Sequence, residues 1–161
     1  MERQALTSVS VPRDRGDVDR VHELEAELLY GGLLRSRRQP YDGYFQHVIE
    51  LPRPLARGER HDYAIRLRVP PGQPMAPHFL HTPFRRSDHF ELRVRFDPQH
   101  LPAAVWLLSD APPAAIYQTE PAAVALVPDR CGEVSADFHE LRPGLGYGIR
   151  WRESSQKSSG T

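Results

Sequence analysis

Residues Cys131–Glu153 read CGEVSADFHELRPGLGYGIRWRE, and the fold is decided by how this stretch is read. Val134, Ala136 and Phe138 share one parity, while Ser135, Asp137 and His139 share the other. After Leu141-Arg142-Pro143-Gly144 the alternation resumes, with Tyr147, Ile149 and Trp151 set against Gly148, Arg150 and Arg152. A period of two over both runs predicts two antiparallel strands, each with one buried face. Pro-Gly is a sound connector between them, because Pro pre-sets one turn angle and Gly supplies the other.

The same pattern extends outward along the chain. Ser87–Phe96 places Phe90, Leu92, Val94 and Phe96 inward and His89, Glu91, Arg93 and Arg95 outward. His61–Val69 does so with Tyr63, Ile65, Leu67 and Val69 against Asp62, Ala64, Arg66 and Arg68. Shorter apolar runs at 44–51, 77–84, 105–108, 116–118 and 124–127 bring the expectation to eight or nine strands. Sixteen prolines and eleven glycines break the chain about as often as an all-β sandwich requires. The single helical candidate is Asp19–Tyr30, where Val21, Leu24, Leu28 and Leu29 follow helical spacing and Gly31-Gly32 would stop the helix. A strand ending in LEAELLY is the rival reading. Leu33–Gly43 reads as a loop carrying Arg35, Arg37 and Arg38. The expected organisation is an N-terminal extension at 1–42, a β-sandwich at 43–153 and a disordered polar tail at 154–161.

Two resemblances follow from quoted residues. Leu141-x-Pro143-Gly144-x-x-Tyr147 resembles the tyrosine corner of fibronectin type III and other immunoglobulin-like sandwiches. This implies that the Tyr147 hydroxyl bonds back to the preceding turn. Taken together, PLARGERHDYAIRLRVP, SDHFELRVRFDP and ELRPGLGYGIRW resemble the C-terminal portion of uncharacterised actinobacterial proteins, many of which carry an N-terminal helix-turn-helix of the XRE type. That resemblance spans about residues 50–151. It implies the sensory or partner-binding half of a regulator, without a DNA-binding element of its own.

Composition narrows the function classes. Lys+Arg of 21 balances Asp+Glu of 21, so net charge gives no bulk attraction to nucleic acid or membranes. One cysteine excludes an internal disulfide framework and the common structural zinc sites. The N-terminal residues lack the apolar core of a secretory signal, and no apolar run is long enough to span a bilayer, which leaves the cytoplasm as the expected compartment.

Three constellations carry chemistry. The outward arginines Arg66, Arg68, Arg93, Arg95, Arg150 and Arg152 lie in i, i+2 pairs on three strands. Were those strands neighbours, they would form one basic face for phosphate, sulfate or carboxylate; cross-strand ion pairs with Asp62, Glu91 and Asp137 are the competing reading. His78, His81 and His89 with Asp88 offer ligand types suited to zinc or iron, but strand residues three apart face opposite ways. Cys131 follows Arg130 and precedes Gly132, a setting that reads as a half-buried structural thiol at a turn, with His139 the only candidate base. Trp106 and Trp151 read as core. With no catalytic signature in view, the expectation is a non-enzymatic module without a cofactor. It would bind a protein partner or small ligand, through the loops 70–77, 83–87 and 110–115 or by dimerising along an edge strand. The arginine face is the alternative and a metal-dependent enzyme at the histidines the third reading.

Overall fold

The computed structural model describes residues 2–10, 24–41, 44–70, 77–83, 86–112 and 124–154. Among them there is no helix, and every strand pairing is antiparallel. The chain is an all-β protein. It divides into two compact units, Met1–Ala76 and Pro77–Thr161.

The first unit holds β1 (Glu2–Ser10), β2 (Glu25–Tyr30), β3 (Leu33–Tyr41), β4 (Tyr44–Leu55) and β5 (Ala64–Arg68). β4 is the centre of a three-stranded sheet ordered β1-β4-β3, and β2 pairs with β5. His47, Ile49 and Leu51 share one parity of β4 and are all buried.

Two expectations are corrected here. Over its described part the helical candidate is strand β2, with 19–23 outside the described residues. Leu24 is fully buried and Ala26 and Leu28 half-buried, whereas Glu25, Glu27 and Leu29 are exposed, which is a period of two. The glutamates face β5 in register, Glu25 opposite Arg68 and Glu27 opposite Arg66. Gly31-Gly32 is therefore a corner between strands and not a helix stop. Gly31 has φ +90, and a Cβ on it would lie 2.3 Å from the Asp62 carbonyl oxygen. The second correction is Leu33–Gly43, where residues 33–41 form a strand. Its pairing to β4 slips between Leu34 and Ser36 and again between Arg38 and Tyr41. Each slip exchanges the faces, which erases the alternation that marks a strand in sequence.

The second unit is a two-layer sandwich. β7 (Ser87–Arg95) pairs with β10 (Glu133–Leu141) in one sheet. The other sheet is ordered β6-β11-β8-β9, from β6 (His78–His81), β8 (Ala104–Ala111), β9 (Ala125–Leu126) and β11 (Gly146–Arg152). The core between them holds Leu92, Val134, Ala136 and Phe138 from the first sheet and Val105, Tyr147 and Ile149 from the second. Phe79, Phe90, Val94, Phe96, Leu107 and Trp151 close its margins. The predicted parity of β7 and β10 is realised: Ser135, Asp137, His139, His89, Glu91, Arg93 and Arg95 are exposed.

At two points the backbone departs from plain extension to keep this core. Glu140 has φ 54, and Leu141, which simple parity would turn outward, is completely buried. Asp110 has φ 52 where the β8–β11 register slips opposite Gly146–Gly148. Left-handed backbone is unfavourable for residues with a Cβ, so both positions need support from their surroundings.

The Pro-Gly turn supports the second of these points. Gly144 has φ +81 after Pro143, the arrangement of a type II turn, and its N–H donates to the Pro83 carbonyl at 3.1 Å. The Tyr147 hydroxyl accepts from the Arg142 N–H at 2.7 Å, the bond back to the turn that the corner motif implies. It also donates to Asp110 Oδ1 at 2.6 Å, across 37 positions of sequence. No local pattern marks Asp110 as that partner. Trp106 corrects another expectation: it stands opposite Arg150 on the face of β8 turned away from Val105 and Leu107, with the Arg152 guanidinium 5.7 Å above its ring.

Candidate functional site on the β7–β10 ribbon

The outward face of β7 and β10 brings together a cluster that sequence spacing did not show. In register, His89 lies opposite His139, Glu91 opposite Asp137, Arg93 opposite Ser135 and Arg95 opposite Glu133. The Phe96 N–H donates to the Gly132 carbonyl at 2.9 Å. The backbone groups of Val94, Leu92 and Phe90 therefore point along the ladder toward β10, and those of the outward-facing residues point away. Non-hydrogen-bonded pairs bring opposing side chains closest. His89 and His139 are such a pair, and their rings stack 5.0 Å apart, 16° from parallel.

Glu91 and Asp137 are like charges placed directly opposite, an unfavourable pairing on a sheet. They resolve it by leaning opposite ways. Glu91 accepts from Arg93 on its own strand at 2.8 Å. Asp137 turns toward the imidazoles, with one carboxylate oxygen bonded to His89 Nε2 and the other 3.3 Å from His139 Nε2. The hydrogen bond from His89 is the main cause that holds the Asp137 carboxyl below its ordinary range, and the two imidazoles' charge adds to it. Two ring nitrogens and a carboxylate oxygen thus lie within 4.8 Å of one another. A shallow depression of about 200 Å³, lined by Glu91, Ser135, Ala136 and Asp137, opens beside them.

The metal-ligating group read from the sequence is taken apart by the fold. His78 and His81 leave β6 on opposite faces: His78 is buried opposite Arg150, and His81 packs against the Phe90 ring at 4.7 Å. Burial pushes the pKa of both below the ordinary histidine value, helped at His78 by the Arg150 charge. His89 belongs to a different sheet, and Asp88, one residue away, alternates off its face. The true neighbours of His89, Asp137 and His139, come from the opening stretch. Outward parity marked all three, but only the register joins β7 to β10.

The single arginine face is not formed, because the three arginine strands belong to three sheets. Arg66 bonds Glu27 at 3.0 Å, Arg68 lies 3.7 Å from Glu25, and Arg95 bonds Glu133 at 3.0 Å. Arg93 pairs with Glu91 at 2.7 Å. Arg150 and Arg152 stand on β11, where Arg150 Nη1 is buried without a hydrogen-bond partner. Cys131 is exposed, which corrects the half-buried reading. Its N–H and that of Glu133 both donate to Asp129 Oδ1, at 2.8 and 2.9 Å, in the turn that leads the chain from β9 into β10. Of the expected recognition loops, 71–76, 84–85 and 113–115 lie outside the described residues, as do the strand expected at 116–118 and the tail from 155.

Comparison with known proteins finds no matching family model, no similar curated protein and no similar solved structure. Among the described residues, no helix is long and apolar enough to cross a membrane.

Proposed function

We propose that this chain is a non-enzymatic β-sandwich binding module that takes up an extended segment of a protein partner along the β7–β10 ribbon. The observation that carries this reading is the asymmetry of the sandwich. One sheet has four strands, while among the described residues β7 pairs only with β10 and β10 only with β7. Both are nine-residue strands held by the core through Leu92 on one and Val134, Ala136 and Phe138 on the other, so each presents a pre-ordered edge. The N–H and C=O groups of His89, Glu91, Arg93 and Arg95 point outward along one of these edges. The His89 carbonyl accepts from the Ser87 hydroxyl at 3.3 Å, and the rest of the row bonds to no other described strand; such an edge is a template for an added strand, in which main-chain bonds supply affinity and alternate side chains supply choice. The role is in keeping with the partner-binding half of a regulator. The scattering and pairing of the arginines favour it over an anion-binding face.

The test is retention of a partner from an extract of the source cells, at low and at high salt, by the whole chain and by two proline variants. Arg93→Pro removes an outward N–H from β7, and Ser135→Pro does so on β10, while both leave the ladder between the strands intact. The expected result is a stoichiometric polypeptide that survives high salt and is lost from one variant, whose circular dichroism and melting stay native. Equal retention by both folded variants, or retention only of nucleic acid shed at high salt, overturns strand addition. Sedimentation of the purified chain shows whether the added strand comes from a second copy.

A further inference from the structure

We propose that His89, Asp137 and His139 form a binding site for one divalent transition-metal ion on the open face of the β7–β10 ribbon. The inference is independent of strand addition, since it uses side chains of the face and not the backbone edge.

The argument starts from the register. His89 and His139 sit at a close cross-strand pair, which places two imidazoles side by side without any loop to arrange them. Asp137 lies two residues before His139 on the same strand, hence on the same face. Its two oxygens already address the two Nε2 atoms, and all three donors fall within 4.8 Å of one another. Modest side-chain rotations, unhindered because all three are more than half exposed, would bring them to the roughly 2.0–2.2 Å metal–ligand distances zinc requires.

The donor set selects the class of ion. Two neutral imidazoles and one carboxylate suit zinc, iron, copper or nickel, whereas calcium and magnesium call for oxygen donors throughout. A cation also answers the local charge. Glu91 and Asp137 are opposed carboxylates of which only Glu91 has an arginine, so the Asp137 side of the pair is where a positive ion relieves repulsion. Three protein donors leave at least one coordination position open toward solvent, in the manner of sites that bind a further ligand or share an ion with another chain.

The experiment uses the untagged full chain, equilibrated by dialysis with Zn(II) alone and, separately, with Co(II), whose visible spectrum reports its ligands. The expected result is one ion per chain, with shifts of the His89 and His139 ring resonances in the NMR spectrum. The His89→Ala, His139→Ala double variant should bind at least about tenfold more weakly, and Asp137→Asn should weaken binding as well. All three side chains are exposed, so both variants should keep the native melting transition. Absence of stoichiometric metal on the native chain overturns the proposal. So does metal held undiminished by the double variant, which would place the ion elsewhere.

Discussion

Replacing Tyr147 by phenylalanine removes one oxygen atom and two hydrogen bonds from the corner of the sandwich. The ring itself is 2 % exposed and packs edge-on against Phe138 at 5.7 Å, contacts that phenylalanine preserves. What is lost is the bond accepted from the Arg142 N–H and the bond donated to Asp110. A neutral hydrogen bond contributes about 1 kcal/mol net, and one to a charged group about 1.5–3 kcal/mol. The Asp110 side chain is 46 % exposed, so water replaces much of the second bond and its contribution falls to about 1 kcal/mol. The sum is a destabilisation of about 2 kcal/mol, read from urea unfolding near neutral pH.

The loss should depend on pH in a definite direction. The Asp110 carboxyl is held below its ordinary value of 3.8, first by the Tyr147 hydroxyl and then by Arg142. A depressed carboxylate stabilises the fold above its unfolded pKa, and that contribution disappears as pH falls through the lower folded value. The gap between native and Tyr147→Phe chains should therefore narrow as the pH is taken below 3.8. Asp110→Asn tolerates left-handed backbone and keeps a neutral acceptor for the hydroxyl, so a double-mutant cycle with Tyr147→Phe should give a coupling below about 1 kcal/mol, the part owed to the carboxylate charge. A Tyr147→Phe chain within about 0.5 kcal/mol of native, or a gap that widens in acid, refutes this account of the corner.

Two further predictions concern the sheets. A Cβ on Gly148 would lie 2.0 Å from the Phe79 carbonyl oxygen, so Gly148→Ala forces β6 away from β11 and should cost about 3 kcal/mol; hydrogen exchange should show amides 78–81 losing protection. Gly146→Ala meets the flexible end of Leu80 at 3.2 Å and the Ala111 carbonyl oxygen at an ordinary contact distance of 3.4 Å, and should be milder. In the first unit, Glu27→Arg places like charges opposite Arg66, and the exchange Glu27→Arg with Arg66→Glu should restore stability; the cycle should give a coupling of about 0.5 kcal/mol that salt removes.

How far the fold was legible depended on whether a strand kept its parity. β7, β10 and β11 alternate without interruption through their centres, so Phe90, Leu92, Val134, Phe138 and Ile149 could be assigned inward from sequence alone. β3 could not, because two register slips exchange its faces. Nor could β2, whose Leu28-Leu29 ending imitates helical spacing. A cross-strand signal for β2 did exist, in the match of Glu-Ala-Glu-Leu to Ile-Arg-Leu-Arg. It becomes visible only once the two segments are known to pair.

By itself the sequence determined the strand class of the chain and the Pro143-Gly144 connector between its last two strands, and the resemblance to a tyrosine corner implied the hydroxyl bond from Tyr147 to that turn. Each of these depends on neighbours within a few residues, where backbone geometry leaves few alternatives. Only the tertiary structure decided which strands adjoin. Alternation assigns a side chain to a face but carries no information about which other strand supplies the facing residue. Hence the arginines, legible as outward, proved to belong to three sheets, and His89 found Asp137 and His139 across a ladder that no spacing in the chain records.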